Sequence, residues 1–180
     1  AEKDANCSVD TRVDYVYLNT AKTPAFVGLA NVKEVPKDAA TVTGADGKSS
    51  PFVVRIETGT VNRSIYQTAM LHNPSASDAP NPFAASPIWN KKLVYTFGGG
   101  CTGGWYRQGN TTGGVLDTPI LALGYAMASS SLNVFGNQCG DLLAAESMAM
   151  VKERFIEAYG KPKFTIGWGC SGGSYQQHQI

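Results

Sequence analysis

Apolar and polar positions in the first half of the chain form short runs that predict β-strands. Residues 52–58 and 63–71 are rich in β-branched and aromatic side chains, and the short polar segment 59–62 separates them. Two such runs around a short turn are typical of a β-hairpin. A further strand is expected at residues 13–18. The proline-rich segment 73–87 after the hairpin is expected to be a surface loop.

From residue 91 onward the pattern changes to strands that alternate with helices. Strands are expected at residues 93–97 and at the start of 125–135, with a short helix at 115–123 between them. A last strand is expected at Phe164–Trp168, where the apolar composition indicates a buried position. Alternation of strands and helices predicts a parallel sheet with helices on its faces, and therefore an α/β fold.

The clearest single element is a helix over Asp141–Tyr159. Its apolar residues recur at helical spacing and form one stripe, which consists of Ala144, Met148, Val151, Phe155 and Tyr159. Gly160 and Pro162 terminate this pattern. Asp141 is the expected cap of the free N–H groups at the helix start, and Asp117 is placed to cap the preceding helix in the same way.

The composition argues against several classes of partner. Fifteen basic and fourteen acidic residues leave a net charge of +1, which gives no electrostatic reason to expect nucleic acid or an anionic membrane as partner. No apolar run reaches the roughly 18 residues that a membrane span needs. The length suits one ordinary domain, and we expect residues 1–50 to form an extension packed on a core built from residues 51–180.

The cysteines indicate the compartment in which the protein works. Cys7, Cys101, Cys139 and Cys170 show neither C-x-x-C nor zinc-site spacing. Disulfides persist mainly in oxidising compartments. The residues therefore favour a secreted or periplasmic protein, and Ala1 is consistent with a mature terminus left by signal cleavage.

Residues 169–173 read Gly-Cys-Ser-Gly-Gly and match the pattern G-x-S-x-G. They follow an expected strand and precede an expected helix, which is the setting of a nucleophile elbow. Such an elbow lifts a serine hydroxyl clear of the sheet on a strained turn, and glycines let the neighbouring chain pass closely. The pattern therefore predicts Ser171 as a nucleophile, with the Gly172 N–H aimed at the negative charge that develops during acyl transfer.

A second glycine cluster, residues 98–100, follows an expected strand. The oxyanion loop of esterases and lipases follows a strand in the same way. A backbone N–H of Gly99, Gly100 or Cys101 is the expected second oxyanion donor, worth roughly 3 kcal/mol of transition-state stabilisation. Phe97 stands where esterases often carry a histidine, so the match is partial. A flexible loop or an anion-binding nest is the alternative.

Together, residues 52–180 resemble the N-terminal half of an α/β hydrolase, with a hairpin, a strand with an oxyanion loop, and a strand with a nucleophile elbow. The run Cys-Ser-Gly-Gly resembles the elbow of tannase and feruloyl-esterase-like enzymes, and the run FVVRIETGTVNRSIY resembles large exported bacterial hydrolases of unassigned substrate. The resemblance implies an α/β-hydrolase fold, incomplete within this chain, with a mostly parallel sheet, helices on both faces and a starting hairpin. It also implies serine esterase chemistry that requires no metal or organic cofactor.

The same resemblance bears on the disulfides. In the tannase-like enzymes the cysteine before the nucleophile is bonded to a cysteine beside the catalytic histidine, which implies that Cys170 pairs outside this chain. In an α/β-hydrolase sheet the strands before Cys101 and Cys139 lie side by side, so a Cys101–Cys139 disulfide is expected. Cys7 stays unassigned, since four cysteines allow three full internal pairings.

The partners of Ser171 in a catalytic triad are expected from outside these 180 residues. His178 lies two helical turns beyond Ser171, roughly 10 Å along an axis that leads away from the active face, and His72 is expected in a solvated loop. We therefore expect a C-terminal chain or fragment that completes the same hydrolase domain. A proteolytic nick in a longer precursor would produce such a heterodimer. The alternative to such a cleavage is that the end at residue 180 has no functional meaning.

Two aromatic residues are the candidates for substrate recognition. Trp105 and Tyr106 follow the expected oxyanion loop and are candidates for a substrate pocket, with a role as core anchors equally open. A small-molecule or polymeric carboxylic ester is the expected substrate, because the elbow resembles those of esterases. An amide or peptide is the alternative for the same apparatus. A non-catalytic ligand-binding module is the alternative from another class.

Overall fold

The computed structural model describes residues 3–5, 7–76, 80–101 and 109–180. Its strands are β1 (Arg12–Leu18), β2 (Phe26–Gly28), β3 (Thr41–Thr43), β4 (Ser49–Pro51), β5 (Val53–Val61), β6 (Ser64–Leu71), β7 (Lys92–Thr96), β8 (Ala126–Ser130) and β9 (Phe164–Trp168). Its helices are α1 (Thr118–Ala122), α2 (Asp141–Tyr159) and α3 (Gly172–Gln179), with a 3₁₀ turn, Ser131–Asn133, directly after β8.

Seven of these strands form one mixed sheet in the order β2-β1-β5-β6-β8-β7-β9, and β3 pairs with β4 in a separate hairpin. The first five strands in this spatial order, β2, β1, β5, β6 and β8, pair antiparallel with one another in succession. Strand β7 pairs parallel with both β8 and β9. The protein is therefore an α/β protein, and the parallel pairing predicted for its second half is confirmed. Four of the six pairings in the described sheet are antiparallel, so the expectation of a mostly parallel sheet is wrong for the described residues. Residues 12–28, which belong to the expected N-terminal extension, contribute β1 and β2 to the sheet itself.

The predicted hairpin is present as β5 and β6, but its turn is shorter than expected. The ladder continues as far as Val61 opposite Ser64, so the turn consists of Asn62 and Arg63 instead of residues 59–62. Both turn residues have positive φ, 52° and 60°, as the tight turns that match strand twist require. Asparagine enters this region readily, and the pairing of the flanking strands holds Arg63 there.

Helix α2 has the predicted bounds and nearly the predicted apolar stripe. Its buried residues are Ala144, Ser147, Val151, Phe155 and Tyr159, and Met148 is partly buried beside them. Gly160 ends the helix with a φ of 96°, a conformation that glycine adopts without the strain of a side chain. No helix among the described residues has the length and apolar character needed to cross a membrane.

The two predicted helix caps have different outcomes. Asp117 caps α1, because its carboxylate accepts the N–H of Ile120 at 2.9 Å. Asp141 is not the cap of α2, since Gly140 occupies that position and Asp141 is the first helical residue. Its carboxylate instead accepts hydrogen bonds of 2.9 Å from the Leu142 N–H and from the side chain of Gln179. The Asp141 carboxylate therefore joins the start of α2 to the end of α3.

Helices cover both faces of the sheet. Helix α2 packs on one face, where its Val151 and Phe155 belong to the same buried cluster as Leu93 of β7. Helix α1 packs on the opposite face, where Leu121 belongs to a second cluster with Val94. Since side chains alternate along a strand, neighbouring residues of β7 supply the two cores. Helix α3 contacts α2.

Strand β9 forms one edge of the described sheet and is more exposed than predicted. Phe164, Ile166 and Trp168 share one face of the strand, and they are 61 %, 42 % and 59 % exposed. The other face of β9 lies against α3, because a Cβ at Gly167 would meet the side chain of Gln177 on that helix. The expectation of a buried strand is therefore wrong, since only one face of β9 is covered.

A buried charged cluster connects the antiparallel hairpin to α2. The Glu57 carboxylate accepts hydrogen bonds from Tyr66 (2.7 Å), Arg154 (3.0 Å), Tyr159 (3.0 Å) and Arg55 (3.3 Å). Burial alone raises the pKa of Glu57. The hydrogen bonds from Tyr66 and Tyr159 and the charges of Arg154 and Arg55 together outweigh burial and hold the pKa below its ordinary value. Glu57 is therefore ionised in the folded protein and is fully supplied with donors.

Candidate functional site

Ser171 occupies a strained turn between β9 and α3. Its φ is 57° and its ψ is −125°, a region that residues other than glycine rarely enter. The side chain is exposed. The Ser171 carbonyl accepts the N–H groups of Ser174 at 2.9 Å and Tyr175 at 3.1 Å, so α3 begins directly after the turn. The chain thus presents the Ser171 hydroxyl to solvent at the carboxyl end of a parallel strand.

Close packing under the turn requires both glycines of the G-x-S-x-G pattern. A Cβ at Gly169 would lie 2.5 Å from the carbonyl oxygen of Phe97, and a Cβ at Gly173 would lie 2.6 Å from the same oxygen. Side chains do not approach backbone atoms this closely, so a larger residue at either position would force the turn away from β7. The Phe97 N–H also donates to the Trp168 carbonyl at 2.8 Å, which ties the turn to the end of β7.

The glycine loop that follows β7 runs beside the segment that follows β8. The Gly98 N–H donates to the Asn133 carbonyl at 2.9 Å, and the Phe135 N–H donates back to the Gly98 carbonyl at 3.1 Å. The Gly136 N–H donates to the Gly99 carbonyl at 2.8 Å. These bonds extend the parallel pairing of β7 and β8 beyond the ends of both strands. The loop therefore follows a hydrogen-bonded path up to the turn that carries Ser171.

The glycine loop contacts this turn through backbone atoms. A Cβ at Gly99 would lie 3.2 Å from the Cys170 carbonyl oxygen and 3.4 Å from the Ser171 Cβ. A Cβ at Gly172 would lie 3.3 Å from the Gly100 nitrogen and would overlap the Gly100 carbonyl oxygen. N–H groups at a helix start have no partner within the helix and carry partial positive charge. The start of α3, and with it this partial positive charge, therefore lies directly against the backbone of the glycine loop.

The predicted Cys101–Cys139 disulfide is present, with Cα atoms 5.2 Å apart. It joins the end of the glycine loop to the segment that leads into α2. Cys7 and Cys170 are exposed free thiols. The pairing of Cys170 with a cysteine outside this chain stays a prediction.

A cavity of about 380 Å³ adjoins the turn. It is lined by Gly100, Cys101, Phe135, Cys139, Asp141, Gly172 and Tyr175. The rings of Phe135 and Tyr175 lie 6.0 Å apart and form its aromatic wall, and Asp141 adds a carboxylate. Trp105 and Tyr106, the predicted pocket residues, lie outside the described residues. Among the described residues, no group of three or more His, Cys, Asp or Glu side chains is placed to hold a metal ion.

Neither histidine of the chain lies beside Ser171. The expectation of a solvated loop is wrong for His72, which is 7 % exposed and whose ring centroid lies 5.0 Å from that of Tyr15. His72 follows β6, which runs antiparallel to β8. It therefore lies where the parallel strands begin, whereas Ser171 lies where they end. His178 is exposed in the last turn of α3, roughly 10 Å along the helix from Ser171.

Two buried amide side chains, those of Gln176 and Asn133, lie beneath the turn, and the sequence does not indicate them. Both are 0 % exposed. The Gln176 Nε2 donates to the carbonyl oxygens of Gly98 and Asn133 at 3.2 Å each. No local pattern marks these residues, because they lie 43 positions apart and their contact arises only from the fold.

A family model matches the whole chain. The family is described as a Tannase-like family of unknown function (DUF6351), and the match covers residues 1–180. No curated protein and no solved structure matches the chain significantly. The family description is consistent with the resemblance of the Cys-Ser-Gly-Gly run to the elbow of tannase-like enzymes.

Proposed function

The chain belongs to this tannase-like family, and from that premise we propose that it is the nucleophile-bearing part of a serine hydrolase with an α/β-hydrolase fold. Its reaction is the cleavage of a carboxylic ester through an acyl-enzyme on Ser171. One observation carries the proposal: Ser171 lies on a strained strand-to-helix turn, and the backbone of this turn packs closely against the glycine loop that follows β7. This combination is the geometry of a nucleophile elbow with its oxyanion loop.

In this reaction Ser171 Oγ attacks the ester carbonyl while a histidine takes the hydroxyl proton. The carbonyl oxygen becomes an oxyanion and receives hydrogen bonds from the Gly172 N–H and from an N–H of the loop at residues 99–101. Collapse of the tetrahedral intermediate breaks the C–O bond, and the alcohol leaves with the proton that the histidine held. Water then hydrolyses the acyl-enzyme by the same route and restores Ser171.

The histidine and the acid of this triad belong, in our proposal, to a polypeptide segment that completes the same sheet. Two observations support it. His72 and His178 both lie away from Ser171, so the base must come from elsewhere. The face of β9 that carries Phe164, Ile166 and Trp168 is exposed, and an exposed apolar face on an edge strand is the kind of surface that further strands or helices cover.

We also propose that the protein is secreted or periplasmic. The Cys101–Cys139 disulfide supports this localisation, because structural disulfides persist mainly in oxidising compartments.

Replacement of the proposed nucleophile tests the function. Ser171→Ala should lower kcat for a chromogenic acetate or butyrate ester by about 10⁶, the usual cost of losing a triad nucleophile. Ser174→Ala is the matched control, because Ser174 is an exposed serine one turn further along α3. It should keep the activity of the unaltered protein. In the protein assembled with its completing segment, activity of Ser171→Ala within tenfold of the unaltered protein would rule the assignment out. A folded and assembled protein without any esterase activity would favour a non-catalytic binding module.

A further inference from the structure

Gln176 lies on α3 directly beneath the turn and bridges two separate parts of the site. Its side-chain Nε2 donates to the Gly98 carbonyl at the start of the glycine loop at 3.2 Å, and to the Gly172 carbonyl at the start of α3 at 3.4 Å. The Asn133 carbonyl lies 3.2 Å from the same nitrogen, so the two N–H groups of this amide are shared among three acceptors. One amide group thus contacts both elements that supply the proposed oxyanion donors.

Asn133 extends this network into the body of the protein. Its Nδ2 donates to the Ala144 carbonyl in the first turns of α2 at 2.8 Å, and to the Gln176 Oε1 at 3.4 Å. Its Oδ1 accepts the hydroxyl of Tyr95, a residue of β7, at 2.7 Å. Both amides are therefore held from several sides, and the position of Gln176 relative to the sheet is fixed.

Burial of two amides brings little stability by itself, because each hydrogen bond only replaces one that water supplied. Such a network does fix the relative positions of the groups it joins, because every donor must meet its acceptor at a defined distance and angle. The Gly98 and Gly172 carbonyls belong to segments that are far apart in sequence and have no side chains to interlock. An oxyanion hole depends on the mutual placement of two such segments, and rates fall steeply when that placement shifts.

We propose that Gln176 is a positioning residue for the oxyanion hole. It holds the glycine loop and the Ser171 turn at a fixed separation, so that the Gly172 N–H and a loop N–H converge on one point. This inference rests on the proposed function of Ser171, and it assigns Gln176 no contact with the substrate.

Gln176→Met tests the proposal, because methionine has a similar length and no hydrogen-bond donor. Its kcat for the chromogenic ester should fall about tenfold to hundredfold while KM changes much less, as expected for misplaced groups that act in the transition state. Amide hydrogen exchange of a peptide that covers residues 97–101 should become faster. Gln176→Asn, which keeps the amide but cannot span the same distance, should show the same two effects.

Tyr66→Phe is the control for a general loss of stability. It removes a buried hydrogen bond of 2.7 Å to Glu57 but none of the hydrogen bonds of Gln176, and it should lower the unfolding midpoint without a change in kcat or in exchange of the loop. If Gln176→Met loses stability but keeps kcat within twofold and leaves loop exchange unchanged, the role is structural and the inference is overturned. Failure of both Gln176 variants to fold would overturn it as well.

The two proposals fail in different ways. Absence of Ser171-dependent hydrolysis in the protein assembled with its completing segment would overturn the hydrolase function and, with it, the oxyanion role of Gln176. Ser171-dependent hydrolysis with an unchanged kcat in folded Gln176→Met would overturn the role of Gln176 alone.

Discussion

The carbonyl oxygen of Gly100 lies where a side chain at Gly172 would begin, so the loop after β7 and the turn after β9 meet backbone to backbone. Gly100 itself has a φ of 101°, and a Cβ there would lie 2.8 Å from the Cα of Gly136. Gly100 is thus confined on two sides, by the turn that carries Ser171 and by the segment after β8. A methyl group at this position has no space, and the loop must shift to accommodate one.

Gly100→Ala should therefore displace the loop and weaken one oxyanion donor. We expect kcat for the chromogenic ester to fall by about 10² to 10³, the usual effect of losing one such donor, with little change in KM. Gly47→Ala is the control, because Gly47 also has a positive φ, 75°, but nothing lies within 4 Å of the added Cβ. It should lose some stability from backbone strain and keep kcat. Equal kcat in both variants would contradict the oxyanion role of the loop.

Features with a local signal could be predicted from the sequence. The period of apolar residues and the Gly160 stop gave α2 its correct bounds, and the glycine spacing around Ser171 marked the turn. The hairpin turn was misplaced because the prediction ended β5 where the apolar run ended, whereas the ladder continues to Val61 and Ser64. The positive φ of Asn62 then allows the tight turn between the two strands.

Features that depend on which elements meet could not be predicted. The burial of His72 arises from β1, since Tyr15 packs against it, and the sequence does not reveal that β1 lies there. The exposure of Ile166 arises because nothing in the described structure covers that face of β9. The contact of Gln176 with Asn133 joins residues with no shared pattern, and it appears only when α3 packs beside the end of β8.

The Cys101–Cys139 disulfide should stabilise the protein and hold the glycine loop in place. It closes a loop with a sequence separation of 38, and the chain-entropy relation gives roughly 3–4 kcal/mol for a loop of this size. Replacement of both cysteines with serine should lower the free energy of unfolding by about this amount, measured by urea denaturation. Cys7→Ser, at an exposed free thiol, should have no effect. A double variant as stable as the unaltered protein would show that the disulfide contributes nothing.

The Glu57 cluster should make stability depend on acid pH. The folded-state pKa of Glu57 is lowered, so its stabilisation is present above the unfolded pKa of about 4.3 and is lost as pH falls through the lower folded value. Glu57→Gln should cost about 3–5 kcal/mol near pH 7, because it leaves the buried Arg55 without its partner. The difference between the two proteins should shrink near pH 3.

Denaturant unfolding at several pH values measures this dependence, with Glu153→Gln as the control on the exposed surface of α2. That variant should stay within about 0.5 kcal/mol of the unaltered protein. A Glu57→Gln protein whose deficit is the same at every pH would contradict the account of the cluster.

The exposed face of β9 should be needed for assembly of the active species. Ile166→Lys places a charge within the apolar face and should reduce both the size of the active species in gel filtration and its esterase activity. Leu123→Lys is the control, since Leu123 is an apolar residue that is 69 % exposed and follows α1 instead of belonging to β9. Intact-mass analysis of the active fraction should reveal polypeptide beyond the 19.1 kDa of this chain. An active, monomeric species of that mass alone would contradict the proposal.

Covalent labelling of Ser171 tests the central claim most directly. A fluorophosphonate reacts with a serine only when a base activates the hydroxyl and donors stabilise the developing charge, as they do in acyl transfer. In the assembled, active protein, peptide mapping by mass spectrometry should locate the phosphonyl adduct on Ser171, with matching loss of ester hydrolysis. The Ser171→Ala protein should remain unlabelled, and Ser174→Ala should label as the unaltered protein does. Labelling of a different residue, or ester hydrolysis that continues without an adduct on Ser171, would contradict the account.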